Sequence, residues 1–288
     1  MTSGIKPIVN FFIYSSIVIS LAATIFTLET FLISNTPINF NYLGLVFCST
    51  LLTYSVHRIV GLRKLEEQFI QGRFKIIRQY KSHIVFYTIA SFMGSIYFLF
   101  QLPLTLLLLL IIPAIISGLY TIPIFSNNKR LRDFDFIKII LIALTWAAVA
   151  LTGIMNDPIT ATGMLIMALL FIEKFLYIFA ITLPFDIRDS TIDNHLDVKT
   201  FPAIWGHAKT YKIINVFLMV CLIIMFVIGY LIAANIYLYI AIAISYGLNY
   251  FAIKISKDKK SDLYYSGLLD GMIIVRSLLL ILTIMHFQ

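Results

Sequence analysis

Four aspartates stand at spacings of three, four and four residues in one segment of the chain: Asp186, Asp189, Asp193 and Asp197. In an α-helix, at about 100° per residue, they share one stripe about 80° wide. Like charges this close destabilise a helix, so a neutralising cation is expected beside them. Carboxylate oxygens in this number suit Mg²⁺, which proteins commonly hold with carboxylates and substrate phosphates. The spacing leaves a second interpretation open, a solvated acidic face that pairs with basic residues of neighbouring loops.

The stripe follows a long apolar segment, and the whole chain is rich in apolar residues. Of its 288 residues, 60% are hydrophobic and 12% are charged, and the mean hydropathy is +0.93. Soluble domains carry about a quarter charged residues. The composition excludes a soluble enzyme, a disordered chain and a nucleic-acid-binding module, and it predicts an integral membrane protein. Cys48 and Cys221 lie in apolar runs without metal-ligand spacing, so we expect two inert thiols.

Nine segments are long and apolar enough to cross a bilayer as helices, which takes about 20 residues each. The predicted fold is therefore all-α, a single polytopic membrane domain over residues 1–288 with nine transmembrane helices. The predicted spans are Ile8–Thr27, Phe40–Val56, Ile84–Phe100, Pro103–Tyr120, Phe136–Met155, Ala161–Phe185, Ile213–Ala233, Ile236–Ile253 and Gly267–Phe287.

The basic residues predict the orientation of these spans. If the N-terminus lies inside, all 22 Lys and Arg except Lys174 and Arg276 fall in inner segments. Under the positive-inside rule this asymmetry predicts an odd number of helices and a cytoplasmic N-terminus. The inner loops are also the long ones, where function usually lies. We therefore expect a site on the cytoplasmic face of a bacterial inner membrane, with the loop Arg58–His83 lying as an amphipathic helix among anionic lipids.

The acidic segment resembles a known motif. Asp186-x-x-Asp189-x-x-x-Asp193, with Lys199-Thr200 and Gly206 after it, is similar to the second aspartate-rich motif of the UbiA superfamily of intramembrane prenyltransferases. The resemblance implies nine helices around a central cavity, where two facing motifs hold Mg²⁺ on a prenyl diphosphate. It also implies transfer of the isoprenoid to an aromatic or other lipophilic acceptor. Tyr120, which closes the fourth span, resembles the family's tyrosine in the following loop.

The first motif of that family is absent at its expected position, the inner end of the second span. Residues 53–62 read Thr-Tyr-Ser-Val-His-Arg-Ile-Val-Gly-Leu and contain no carboxylate. The register offers Ser55 and Arg58 instead, and we interpret His57 as an interfacial histidine. Two hypotheses follow. Either Arg58 grips the diphosphate in place of a metal ion, or the protein binds an isoprenoid without transferring it.

If the chain is an enzyme, the site must stabilise the charge on a departing diphosphate. Mg²⁺ held by Asp186, Asp189 and Asp193, as metal ligands and catalytic residues, would do so by electrostatic stabilisation. The basic residues expected to bind the diphosphate are Arg58, Lys129, Arg130 and Lys199. Each of these four is equally well explained as a charge that sets topology or contacts lipid.

A few ionisable residues lie inside the predicted spans, where they usually mark a site or a pair. Glu173 and Lys174 lie in the sixth span, and Asp270 and Arg276 lie in the ninth. Glu173 is too deep for the diphosphate; it could line an acceptor pocket, but we expect it to contact another helix. A transporter would need more such groups near the midplane, often repeated between halves. The sequence therefore favours a prenyltransferase over an isoprenoid-binding scaffold, and both over a transporter, and it leaves the oligomeric state open.

Overall fold

The computed structural model describes residues 5–64, 71–155, 160–195, 197–258 and 261–287, and regular structure in these ranges is helical. Part of the loop predicted as amphipathic, residues 65–70, lies outside the described residues. The α-helices are α1 (Ile5–Tyr14), α2 (Ile17–Ile33), α3 (Phe40–Lys64), α4 (Arg73–Gln79), α5 (Lys81–Leu99), α6 (Leu104–Thr121), α7 (Ile137–Thr152), α8 (Ala161–His195), α9 (Phe201–Trp205), α10 (His207–Leu231), α11 (Ile236–Ile255) and α12 (Asp270–Phe287). Two short 3₁₀ turns, Ser126–Asn128 and Leu131–Asp133, precede α7, and a π-helical segment, Tyr264–Leu269, leads into α12.

Seven helices in the described ranges are long and apolar enough to cross a membrane: α3, α5, α6, α8, α10, α11, and α12 with its π-helical segment. Two further apolar helices, α2 and α7, are shorter at 17 and 16 residues and lie where the first and fifth spans are predicted. The all-helical membrane fold is thus confirmed. The count of nine spans and the inside position of the N-terminus stay predictions.

The predicted first span, Ile8–Thr27, is wrong as one continuous helix. The helix is interrupted at Ser15 and Ser16, where Ser16 adopts a left-handed backbone with φ of 69°. Helix α2 then runs from Ile17 to Ile33. The break leaves main-chain carbonyls at the end of α1 without helical donors. Hydrophobicity alone could not reveal it, because apolar residues continue on both sides of the two serines.

The helices close into a ring, with contacts that run from α2 through α3, α6, α7, α8, α10, α11 and α12 back to α2. Contact between α2 and α7 divides this ring into two parts, and Phe26 packs against Trp146 at the division. One part, between α2, α3, α6 and α7, encloses a cavity. The other is filled by packed side chains of α8, α10, α11 and α12.

At the centre of the packed part lies a fully buried ionic cluster, defined as Glu29, Glu173, Lys174 and Arg276. Arg276 donates to Glu29 and Glu173, each at 2.7 Å, and Lys174 lies 3.3 Å from Glu29. The hydroxyl of Tyr246 also donates to Glu173. Two carboxylates thus balance two cations, and the expected helix contact of Glu173 is found. Glu29 escaped sequence reasoning because it lies just past the predicted end of the first span.

Candidate functional site

The acidic stripe lies on the last turns of α8, which continues from the apolar span to His195 without interruption. Asp186, Asp189 and Asp193 are helical, as their spacing predicts. Asp197 lies past the helix end with a left-handed φ of 53°, so the prediction of a fourth helical member is wrong. Asp186 and Asp193 are only 2% and 5% exposed. A solvated acidic face is therefore excluded for these two residues.

Lys138, in the first turn of α7, forms ion pairs with both Asp186 and Asp193, the first and last of the three helical aspartates. Its Nζ lies 2.7 Å from Asp186 Oδ1 and 3.0 Å from Asp193 Oδ2, and the lysine is itself buried. The loop before α7 fixes this position, because Phe136 N donates to Lys199 O and Lys199 N donates to Asp135 Oδ1. A single ammonium thus sits between two buried carboxylates.

Asp189, the middle member of the stripe, pairs with two guanidinium groups. Arg73 on α4 donates to its Oδ1 at 2.9 Å, and the adjacent Arg188 donates to the same oxygen at 2.7 Å. Asp262 also accepts from the main-chain N of Arg73, which ties α4 to the segment before α12. All three helical aspartates are therefore neutralised by cations of the chain itself.

The four basic residues predicted to bind diphosphate have other surroundings. Arg58 donates to the main-chain oxygens of Tyr14 and, at 3.1 Å, of Ile13, so it caps the broken end of α1. Arg130, which precedes the 3₁₀ turn Leu131–Asp133, donates to both carboxylate oxygens of Asp133. The last two, Lys129 and Lys199, are exposed at the surface.

Sequence reasoning missed two cations of the site, Lys138 and Arg132, which it counted only as topology-setting charges. Arg132 Nη1 lies within hydrogen-bond distance of the His57 ring, and its guanidinium lies 5.3 Å from the centre of the Tyr120 ring. Burial lowers the pKa of Arg132, but Tyr120 and Asp193 outweigh it, so the pKa is raised overall. One signal did exist: Lys138 falls inside the predicted fifth span, where a charge usually marks a pair.

The cavity between α2, α3, α6 and α7 has a volume of about 430 Å³ and is lined mostly by apolar side chains, with Ala23, Tyr42 and Pro113 among them. A second cavity of about 120 Å³ shares the walls Tyr54 and Trp146 with the first. This second cavity reaches His57 and Tyr120, the residues that Arg132 contacts. The arrangement offers an apolar chamber with a cationic end, which suits an amphipathic ligand with an anionic head.

The model of the UbiA prenyltransferase family matches residues 78–265, well over half of the chain. This chain belongs to the UbiA prenyltransferase family. The matched range begins after α3 and so does not include the position of the absent first motif. No curated protein matches the chain in sequence.

Solved structures with the UbiA fold resemble nearly the whole chain. A UbiA homologue from Archaeoglobus fulgidus bound to GPP and Mg²⁺ has a TM-score of 0.60 and 13% identity, over 94% of this chain and 99% of that one. A UbiA homologue from Archaeoglobus fulgidus bound to DMAPP and Mg²⁺ has a TM-score of 0.59 and 14% identity, over 93% of this chain and 98% of that one. A structure of digeranylgeranylglyceryl phosphate synthase has a TM-score of 0.56 and 16% identity, over 97% of this chain and 99% of that one. These likenesses show a shared fold.

The residues of this chain do not fit the paired metal centre that the UbiA family implies. The register of the first motif contains no carboxylate, and the ammonium of Lys138 occupies the space between Asp186 and Asp193. Within the described ranges, the structure contains no cluster of three or more His, Cys, Asp or Glu side chains that could hold a metal ion. A metal ion at the stripe would have to displace a buried lysine from both of its partners.

Proposed function

We propose that this chain transfers an isoprenoid from a prenyl diphosphate to an aromatic or other lipophilic acceptor at the cytoplasmic face of a bacterial inner membrane. In this reaction the bond between the allylic carbon and the diphosphate oxygen breaks, and the electron pair leaves with the diphosphate. The acceptor forms the new bond to carbon and releases a proton. Family membership makes prenyl transfer the leading reaction class.

One observation carries the proposal: two neighbouring, mostly apolar cavities share walls, and the second is lined by His57 and Tyr120, which Arg132 contacts. Among the described residues, the guanidinium of Arg132 contacts an imidazole and an aromatic ring rather than a carboxylate. Its charge is therefore available to an anion, and guanidinium groups bind phosphates with two parallel hydrogen bonds. The prenyl chain would occupy the cavity, with its diphosphate at this end.

The proposal keeps Asp186, Asp189 and Asp193 as site residues, because they hold Arg73 and Lys138 in fixed positions. Of the basic residues predicted from the sequence, Lys129 and Lys199 keep exposed side chains that can meet an incoming diphosphate. The contacts already made by Arg58 and Arg130 leave these two residues less suited to that role.

Mg²⁺ is the cofactor that the sequence leads us to expect, and the relatives bound to GPP or DMAPP contain it. When bound to a diphosphate, Mg²⁺ would neutralise the charge that develops on the leaving group. The contacts of Lys138 argue against a resident ion at the aspartates.

The test is incubation of the purified chain in lipid nanodiscs with labelled geranyl diphosphate and a membrane lipid extract, with Mg²⁺ or with EDTA. We expect release of diphosphate together with a labelled lipophilic product. Arg132→Gln removes the cation at the cavity end and should reduce release at least about tenfold. Absence of both binding and release in the unmodified chain would refute the proposal.

A second function, isoprenoid binding without transfer, is favoured by the missing carboxylates of the first motif. In that case geranyl diphosphate would bind with the same dependence on Arg132, but neither diphosphate nor a labelled product would be released. Separate measurement of binding and release distinguishes the two functions.

A further inference from the structure

The ammonium of Lys138 lies where a divalent ion would have to lie to bridge the outer carboxylates of the stripe. It is 2.7 Å from Asp186 and 3.0 Å from Asp193, two residues that lie about two helical turns apart on α8. A lysine has three N–H donors, and these contacts use two of them. One donor is left for a ligand. The ammonium thus combines a fixed position, set by two carboxylates, with the capacity to bind an anion.

Burial makes exchange of this lysine for a metal ion unfavourable. Lys138 is 8% exposed, and both of its partners are more deeply buried. Displacement by an ion would leave a buried ammonium without a carboxylate, which is strongly destabilising. The aspartate between them offers no alternative metal ligand, because Asp189 already accepts from Arg73 and Arg188.

We propose that Lys138 replaces the metal ion at this site: its ammonium, held by Asp186 and Asp193, receives the diphosphate together with Arg132, so that prenyl diphosphate binding does not require Mg²⁺. The proposal rests on the proposed function for the identity of the ligand. The replacement of the ion by a lysine rests on the contacts alone.

The missing first motif is consistent with this replacement. A second metal ion would need carboxylates on α3, where the chain has His57 and Arg58 instead. His57 on α3 lies against Arg132, so a cation stands beside the position where those carboxylates would be. In this proposal Arg132 and Lys138 supply the positive charge that a bound ion would bring. Asp186 and Asp193 hold Lys138 and are positioning residues in this scheme.

The first experiment tests the metal site without any prenyl diphosphate. Mn²⁺, a paramagnetic substitute for Mg²⁺, is titrated into the purified chain in nanodiscs and followed by electron paramagnetic resonance. We expect the unmodified chain to bind no Mn²⁺ at the stripe. In Lys138→Ala the freed carboxylates should bind one Mn²⁺, and Lys138→Ala with Asp193→Asn should lose it again. Binding of one Mn²⁺ by the unmodified chain, lost in Asp193→Asn, would overturn the proposal.

The second experiment measures binding of geranyl diphosphate in Mg²⁺ and in EDTA. We expect EDTA to change the Kd of the unmodified chain by less than about threefold. In EDTA, Lys138→Ala should weaken binding about ten- to a hundredfold, since it removes a charge-assisted contact. Mg²⁺ should restore part of that loss in the variant. Lys138→Arg, which keeps the charge, should retain binding in EDTA, and Lys209→Ala, an exposed lysine on α10, should match the unmodified chain.

The outcomes separate this proposal from the proposed function. Binding that occurs only with Mg²⁺ in the unmodified chain would overturn the role of Lys138 and leave prenyl transfer intact. No binding under either condition would overturn the proposed function and the diphosphate part of this proposal with it. Both readings use the unmodified chain, so they hold even if Lys138→Ala fails to fold.

Discussion

Arg276 on the last helix donates to Glu29 on the second helix over 2.7 Å, and neither side chain is exposed. The two residues come from opposite ends of the sequence, so this contact closes the helix ring. Because Arg276 also pairs with Glu173 on α8, one guanidinium joins three helices. Unpaired charge is costly in an apolar interior, and this cluster avoids it by containing equal numbers of both signs.

Loss of Arg276 is expected to destabilise the fold strongly. Arg276→Leu leaves two buried carboxylates opposite one lysine, and breaking a buried pair costs about 3–5 kcal/mol. Thermal unfolding in detergent should show a large drop in the midpoint, whereas Arg63→Leu, an exposed arginine on α3, should show little change. Combining Arg276→Leu with Glu173→Gln should recover part of the loss, since it restores charge balance. Equal midpoints for the chain and Arg276→Leu would contradict a structural role for the cluster.

For Arg58, the contacts predict a structural effect that differs from the one expected from the sequence. Arg58→Ala removes the donors to the carbonyls of Ile13 and Tyr14, which should cost about 1–3 kcal/mol of stability at the end of α1. Hydrogen exchange should then accelerate in α1 and change little in α10. We expect the Kd of geranyl diphosphate to change less than about threefold. A loss of about ten- to a hundredfold would instead support the diphosphate-binding role that the sequence suggests.

The aspartates offer a matched pair for testing the stripe. Asp193→Asn removes one carboxylate from Lys138 at 3.0 Å, so the ammonium loses part of its fixed position. We expect diphosphate release to fall at least about tenfold, equivalent to about 1.4 kcal/mol. Asp197→Asn, in an exposed residue beyond the helix, should leave release within about twofold. Equal effects of the two changes would argue that only the local negative charge matters.

The cavity predicts selectivity for chain length. Ala114→Phe adds a ring to the wall of the 430 Å³ cavity, so it should weaken binding of a geranylgeranyl diphosphate more than that of a dimethylallyl diphosphate. Binding of both ligands in nanodiscs is the measurement. Ile112→Phe adds bulk to the same helix at a residue that is 68% exposed, and it should affect neither. If Ala114→Phe weakens both ligands equally, the prenyl chain does not lie in this cavity.

The orientation of the helices is open to a direct test. In a background with Cys48 and Cys221 replaced by alanine, single cysteines at Gln101 and Ser261 should react with impermeant thiol reagents from opposite sides of the membrane. Both residues are exposed, so labelling is sterically possible. Ser261 should react from the cytoplasmic side, in agreement with the basic loops. Labelling of both from one side would refute the predicted topology.

Helix α8 was predictable because its signals are local. A continuous apolar run predicts the span, and the spacing of Asp186, Asp189 and Asp193 predicts that the helix continues beyond it. The partners of these aspartates were not predictable, since Lys138 and Arg73 reach the stripe from other helices. The sequence pattern of α8 does not identify which basic residues of other helices pair with its aspartates.

Two further features depend on tertiary structure in the same way. The break at Ser15 and Ser16 is invisible in hydropathy, and it is this break that redirects Arg58 towards main-chain carbonyls. From the sequence, Glu29 is only a residue near the end of a predicted span. Its role as a buried ion-pair partner becomes apparent only from its contact with Arg276. The sequence therefore predicts the family and the helices well, whereas the pairing of charges needs the packed structure.

The length of α8 has a consequence for the fate of reaction products. Its 35 residues extend about 52 Å at about 1.5 Å per residue, whereas the hydrocarbon of a bilayer is about 30 Å thick. The final turns, which carry the aspartates, therefore reach the boundary between lipid and water. A diphosphate released there enters the aqueous phase, while a prenylated product stays dissolved among acyl chains. The two products would thus be separated between water and lipid. Because they no longer meet at the site, the proposed transfer would be hard to reverse.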